Sequence, residues 1–482
     1  MAAFLAQGFL AIASKSPAFD ETGDIAAGLS YIQSGEVRAN LQHPPLLKEL
    51  AGVSLWLAGI RLPESPQVAR MLAGGGERQV GSELIAANGP DRVMFWARLP
   101  FLLLAAALGA LIWWWGRQVV GETAALAALF LYTMSPTILG HSYLVTLDVG
   151  LAAFAVLFFY ALWSYLKAPG WKRLALCGLA MGLLLGAKFS AIFLLPVAVV
   201  VLVVARRTGA LVVMGAIATF VIQALYLSPG GLFLYSTGLQ RVNADHNPDY
   251  LVFLGGQLQH NFPSYFVMAY LLKEPIAAIL LAAIGIYALR SLPDRRGSVA
   301  FLVLPPAVIL AAHMAFADDL GVRYIIPALP FLYLIGGVGA AWLIGRGLWG
   351  RVIAGGLGCW LLITSFAVAP DHLSYFNEAA GGTRGGPMWL DDSNVDWGQG
   401  IKQVKEWVDG NAKGRPVHLA YFGSFPPAGY GLTAEPIDDL MKAPAPGLYI
   451  VSAHFAARVP APWLRRTPTA IVGHAMYVYD IR

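Results

Sequence analysis

The chain has 482 residues, of which 57% are hydrophobic and 13% charged, and its mean hydropathy is +0.61. A soluble globular chain is roughly half apolar and a quarter charged, so this is the composition of a membrane protein, and it excludes disordered, collagen-like and coiled-coil classes. The net charge of +5 is too small a surplus to indicate nucleic-acid binding; the basic residues fall instead where membrane orientation would place them. Cys177 and Cys359 both lie in apolar stretches and offer neither a disulfide framework nor a metal site.

The charges divide the chain into three parts. Residues 14–93 hold sixteen, residues 370–482 hold twenty-one, and the long stretch 94–369 between them holds twenty-four, mostly between apolar runs. A solvated first loop (14–93) therefore belongs to a hydrophobic body of residues 1–369, and residues 370–482 form a soluble domain. Apolar runs long enough to span a bilayer (about 20 residues) fall near 94–115, 123–140, 149–166, 209–228, 265–289, 298–317, 324–345 and 351–369. The stretch 174–205 is too long for one helix and is broken at Gly186-Ala187-Lys188-Phe189-Ser190, which predicts two short helices. Residues 1–13 make one more, barely long enough to cross at about 1.5 Å per residue. They lack a basic leader and a convincing cleavage site, and read as a retained helix buried in protein or as the end of a longer one.

That reading predicts eleven spans, and charge asymmetry tests it. Alternate connections carry Arg117; Lys167, Lys172 and Arg173; Arg206 and Arg207; Arg290, Arg295 and Arg296; and Arg346 and Arg351, opposed by Glu122 and Asp294. All of them fall on one side if 174–205 crosses twice. The positive-inside rule then puts the N-terminus in the cytoplasm and residues 14–93, 141–147, 229–264, 318–323 and 370–482 outside the inner (plasma) membrane.

The outer face collects the unusual polar residues. Phe19-Asp20-Glu21-Thr22 places two adjacent carboxylates at a helix exit, one able to act as a base and the other to orient it; the alternative is an N-terminal helix cap. His43-Pro44-Pro45-Leu46 opens an amphipathic helix lying on the outer leaflet, with Lys48 at headgroup level, within reach of a phosphate or simply snorkelling. His43 by itself suits a structural hydrogen bond. Asp148 enters an apolar helix, where an acid is costly without a partner or a task, unless it caps that helix. Lys188, on an outward hinge, could reach a phosphate. Asp318, Asp319 and Arg323 form a further outer cluster before Tyr324. There is no P-loop, no GxGxxG after a strand, no HExxH and no zinc-type spacing. A divalent metal has no support from ligand spacing, and no cofactor is implied.

These features in this order resemble the polyprenyl-phosphate-dependent glycosyltransferases of the GT-C class, in particular the dolichyl-phosphate-mannose–protein mannosyltransferase family (glycosyltransferase family 39) and its bacterial relatives. The residues that carry the resemblance are Phe19-Asp20-Glu21, His43-Pro44-Pro45-Leu46 with Lys48, Asp148, Gly186-Ala187-Lys188-Phe189, and Arg323-Tyr324 before Pro327 and Pro330. Tyr375-Phe376-Asn377-Glu378 through Asp392-Ser393-Asn394-Val395-Asp396-Trp397-Gly398-Gln399 is similar to a membrane-proximal segment of a bacterial subgroup. The resemblance implies an all-α polytopic GT-C body and a polyprenyl-phosphate-linked sugar donor, with a lipid, glycan or protein hydroxyl as acceptor. It implies Asp20 as general base in an inverting transfer, with Glu21 and Asp148 as further catalytic acids and Lys48, Lys188 and Arg323 as cations for the donor phosphate. The chain lacks the β-trefoil repeats of the eukaryotic family members, which puts a protein acceptor in doubt. A lipid-linked-glycan ligase or polymerase is the runner-up. A lipid or solute transporter fits less well, because transporters concentrate polar groups at the midplane rather than in an outer loop.

In the C-terminal domain, residues 401–408 predict an amphipathic helix, and 418–422, 447–452 and 475–479 predict strands, giving a small α/β domain on the outer surface. Asp391, Asp392, Asp396 and Trp397 suit sugar binding. The alternative is an interfacial tryptophan beside a turn.

Overall fold

The computed structural model describes residues 1–244, 249–292 and 295–482, so Asp294 lies outside the described residues, as do the side chains of Arg295 and Arg296. Among the described residues, five helices are long and apolar enough to cross a membrane, Pro90–Val119, Asp148–Lys167, Val299–Phe316, Val322–Ile344 and Leu348–Ala367, or six if the bent pair Tyr265–Lys273 and Ile276–Ser291 forms one span. Shorter apolar helices accompany them at Ala2–Ser14, Glu122–Met134, Phe189–Val204 and Gly209–Leu225. Val322–Ile344 is the central element, 83% buried, whereas Leu348–Ala367 lies at the periphery with 17% buried. That contrast explains why Leu348, Trp349, Ile363 and Phe366 are exposed apolar residues on a helix that reads like its neighbours in sequence.

The run 174–205 divides near the expected place. One helix ends at Ala187, Lys188 is extended (φ −158°, ψ 144°), and a 3₁₀ turn Phe189–Leu194 leads into Leu195–Val204. The run 265–289 differs from expectation. It is two helices, Tyr265–Lys273 and Ile276–Ala288, bent by 114° across Glu274-Pro275. Proline has no N–H to continue the ladder and forces the residue before it out of the α region, here to φ −88°, ψ 143°. The break is buried, and its polar side chains are tied to the 370–400 segment and to the body. Lys273 Nζ donates to the carbonyls of Leu373 (2.9 Å), Tyr375 and Asn394 (2.5 Å), and Glu274 accepts from the Tyr333 hydroxyl at 3.0 Å.

The first loop folds into four helices, Glu21–Ser34, Leu46–Leu57, Pro66–Ala73 and Glu77–Ala87. Leu46–Leu57 turns Leu47, Lys48, Ala51 and Leu55 inward and leaves Val53, Trp56 and Leu57 exposed, an amphipathic arrangement. Its crossing with Glu21–Ser34 is possible only through glycine, since a Cβ on Gly28 would lie 1.9 Å from the Lys48 carbonyl oxygen and one on Gly52 2.2 Å from that of Gly28.

Residues 370–400 are a chain of 3₁₀ turns tied to the body. The α/β unit proper begins with the helix Ile401–Asn411 and contains β3 (Val417–Ala420), β4 (Glu435–Pro436), β5 (Gly447–Ser452), β6 (Ala470–Val472) and β7 (Met476–Ile481), following a hairpin of β1 (Val252–Leu254) and β2 (Gln257–Gln259) in the body. The five-stranded sheet has the order β4-β3-β5-β7-β6, parallel among β4, β3 and β5 and antiparallel from β5 through β7 to β6. The segment before it is joined to the first loop by backbone bonds, Phe19 N to Trp397 O (2.7 Å) and Ser16 N to Gln399 O (3.2 Å). Ser424 adds to the junction, donating to Phe19 O and accepting from Ser82 at its own carbonyl.

Candidate active site

The two acids at the first helix exit have opposite environments. Glu21 is fully buried, and both of its oxygens are used. Oε1 accepts from Arg98 Nε (2.9 Å) and Val145 N (2.8 Å), and Oε2 accepts from Arg98 Nη2 (2.5 Å) and Ala18 N (2.8 Å). Arg98 also donates to the carbonyls of Lys15 and Ser16. Glu21 is therefore a knot joining the helix exit, Pro90–Val119 and the 141–147 loop, and has no lone pair left for substrate. Its assignment as a catalytic acid is corrected to a positioning role. Arg98 was missed, although a lone arginine inside an apolar run is the kind of signal that marks such a partner.

Asp20 stands at the N-cap position, but its side chain makes no cap hydrogen bond. Its Oδ2 accepts from Arg323 Nη1 at 2.9 Å, and its side chain is 30% exposed, on a cleft of about 670 Å³. Arg323 lies over the Trp397 ring (4.3 Å to the centroid) and beside Tyr324 (5.3 Å), and its buried Nε–H has no partner. Lys188 Nζ sits 4.5 Å from the Tyr324 ring centroid and 2.7 Å from Asp148 Oδ1. Asp148 opens its helix, one residue after the N-cap Leu147. The outward hinge expected at Lys188 is instead a buried ion pair. Asp20, Arg323, Lys188 and Asp148 thus come together around Tyr324, from four separate parts of the chain.

Lys48 is elsewhere. It is buried, and its ammonium donates to Asn40 O (2.6 Å), Asn40 Oδ1 (3.1 Å) and His43 O (3.3 Å). The cause is the close crossing at Gly28 and Gly52, which turns Lys48 into the loop rather than toward headgroups. Burial lowers its pKa to about 8 against the pull of Asp24, while burial raises that of Asp24 to about 7. The expected headgroup contact is corrected to a loop-ordering role. His43 is half-buried, with its Nδ1 enclosed and unpaired, and desolvation together with Lys188 holds its pKa well below the usual value.

The C-terminal segment also contributes to the cleft. Asp392 and Trp397 line the cleft; Asp392 Oδ2 accepts from the Tyr250 hydroxyl at 2.8 Å, and burial together with Asp391 raises its pKa. Asp396 does not reach the cleft lining. It is buried, accepts from the Ser452 hydroxyl and from Gly398 N (2.9 Å), and is raised by burial to about 6; its sugar-binding assignment is corrected to a structural one. Sequence reasoning also missed Phe422 and His454, which stack at 4.1 Å between centroids, with Phe422 stacked in turn on Phe19 at 5.6 Å. Among the described residues no group of three or more His, Cys, Asp or Glu side chains is placed to hold a metal ion.

The overall fold, a helical body with a folded first loop and an α/β unit, is similar to that of solved membrane-enzyme structures, and one segment matches a family model. Residues 90–232, which include Asp148 and Lys188, match the family model described as dolichyl-phosphate-mannose-protein mannosyltransferase. The crystal structure of ArnT from Cupriavidus metallidurans in the apo state is similar over 98% of this chain and 96% of that one, with a TM-score of 0.53 and 13% identity. The same protein bound to undecaprenyl phosphate gives 0.52 and 14% identity, over 99% and 96%. The archaeal oligosaccharyltransferase AglB from Archaeoglobus fulgidus, in complex with an inhibitory peptide and a dolichol-phosphate, gives 0.50 and 11% identity over 77% of this chain and 57% of that one. No curated protein matches the chain by sequence.

Proposed function

We propose that this protein is a membrane glycosyltransferase that moves a sugar from a polyprenyl-phosphate donor to a hydroxyl acceptor, with inversion, on the extracytoplasmic face. One observation carries the reading: the cleft holds a carboxylate with no cap bond, Asp20, beside an arginine whose buried Nε–H is unpaired. A buried donor without a partner is uncommon and costly, and an anionic ligand would satisfy it.

In the transfer, the acceptor oxygen forms a bond to the anomeric carbon while the bond from that carbon to the phosphate oxygen breaks. Its electron pair leaves with the phosphate. Asp20 takes the acceptor proton, and the departing polyprenyl phosphate gains one negative charge as it changes from diester to monoester. That leaving group needs cations more than a proton. Arg323 and Lys188, both close to Tyr324, supply them, and Asp148 holds Lys188 in place. The solved neighbour bound to undecaprenyl phosphate supports the donor class, since the two folds match over nearly their whole lengths. Eleven spans, a cytoplasmic N-terminus and an inner-membrane location complete the reading, supported by the basic residues on alternate connections.

The test is direct. Purified protein is incubated with polyprenyl-phosphate-linked pentoses and hexoses, and released polyprenyl phosphate and glycosylated product are followed by mass spectrometry. Arg323→Ala and Lys188→Ala should each weaken donor binding at least tenfold. Absence of polyprenyl phosphate release from every donor, or donor affinity unchanged in both variants, would overturn the assignment.

A further inference from the structure

The cleft is unusual for a site that must hold an anionic donor. Asp20, Asp318, Asp319 and Asp392 line it, and Arg323 is the lone lysine or arginine among the described lining residues. Arg323 is already bonded to Asp20 and, on the reading above, serves the donor phosphate. The rest of the cleft therefore has carboxyl groups, two histidines, an asparagine and a tyrosine hydroxyl, and no second fixed cation.

The other polar groups of the cleft are held on fixed supports. His454 follows the cap residue Ser452, which accepts from the His454 N–H at 3.2 Å. Its buried Nδ1 lies 3.1 Å from Asp391 Oδ2, which Arg458 also binds, but makes no hydrogen bond there, so Nε2 is the ring atom that a cleft ligand could reach. The imidazole face is packed on Phe422, and Phe422 on Phe19, the residue before Asp20. Through this stack the C-terminal domain sets the position of His454 relative to the base. Asp392 is held by Tyr250, and Asp319 by the Phe262 N–H at 2.8 Å. Burial beside Asp318 raises Asp319 to about 6.

Carboxyl, imidazole, phenol and amide groups on fixed supports exchange hydrogen bonds with hydroxyls in any protonation state. A phosphate or carboxylate placed among them meets like charge with no free cation to offset it. We infer that the wall formed by His454, Asp392 and Asp319 is the acceptor site, and that it takes an uncharged saccharide rather than an acceptor carrying phosphate or carboxylate. This rests on the transferase reading and names the acceptor class for the same cleft. His454 orients the acceptor hydroxyl, and Asp20 removes its proton.

The experiment compares neutral hexose oligosaccharides with the same oligosaccharides bearing one phosphate or one uronate, at saturating polyprenyl-phosphate-linked sugar. The neutral acceptors should have a kcat/KM at least tenfold higher. His454→Ala should raise the acceptor KM about tenfold and leave donor KM and thermal midpoint unchanged, with partial rescue by His454→Gln. Equal or better transfer to the charged acceptors overturns the inference, as does a His454→Ala effect on donor KM alone. Transfer confined to peptide or lipid hydroxyls, with saccharides inert, overturns it while leaving the transferase reading in place. If no polyprenyl phosphate is released with any acceptor, both fall together.

Discussion

Replacing Asp20 with asparagine separates chemistry from structure, because the two contributions differ in size. A general base contributes typically 10²–10⁴-fold, which corresponds to about 3–5 kcal/mol of barrier. The structural cost is small. Asp20 makes no side-chain cap bond, so the loss of about 1 kcal/mol expected for removing a capping side chain does not arise. Its ion pair with Arg323 is partly exposed, 30% and 15% on the two side chains, and a pair so screened is worth about 0–1 kcal/mol. Asparagine also keeps an oxygen that can accept from Arg323 Nη1. Asp20→Asn should therefore lose 10²–10⁴-fold in turnover while its thermal midpoint and its affinity for polyprenyl phosphate stay near wild type. The assay is the initial rate of polyprenyl phosphate release, paired with thermal unfolding of the same detergent-solubilised sample. Near-normal turnover would refute the base assignment. So would a loss of turnover accompanied by a midpoint several degrees lower, since that would make Asp20 a structural residue.

Four further outcomes are expected. Arg98→Met leaves Glu21 ionised in a fully buried site; breaking a buried pair in this way costs about 3–5 kcal/mol, so the variant should fail to fold or unfold far below wild type in a thermal scan. Lys48→Ala removes the donor that orders Asn40 and His43, and should lower the thermal midpoint while leaving polyprenyl phosphate affinity within about twofold; a tenfold loss of affinity would restore a phosphate contact. Asp396 has its pKa raised by burial to about 6, so the folded state holds its proton more tightly than the unfolded chain, and its contribution to stability falls as pH rises from about 4 to about 6. Asp396→Asn should flatten the fall in thermal midpoint over that window, and an unchanged pH profile would count against the assignment. Finally, a C-terminal alkaline phosphatase fusion should be active and a C-terminal fluorescent protein that folds only in cytosol should be dark; the reverse pattern would reject the eleven-span topology.

Composition and the spacing of apolar runs were enough to indicate a mostly helical body with several apolar helices, because hydrophobic periodicity is a local property of the chain. The break at Lys188 and the strands around 418, 449 and 477 were legible for the same reason. The bend at Glu274-Pro275 was written in the sequence too, as a charged pair before a proline, but an average over the apolar run hides it. The site was legible only as a list of candidates. Asp20 and Glu21 are chemically alike and adjacent in the chain; one faces a cleft and the other is tied to Arg98, 77 residues away, and only the packing of Pro90–Val119 against the helix exit decides which. Lys48 sits on the amphipathic helix where expected, yet two glycines bring that helix close enough to its neighbour to turn the ammonium inward. The acceptor wall left no local trace. Phe422 and His454 acquire their place because the segment before the sheet docks on the first loop through Phe19 and Ser16, and a contact between residues some four hundred positions apart is set by the tertiary fold and not by any pattern along the chain.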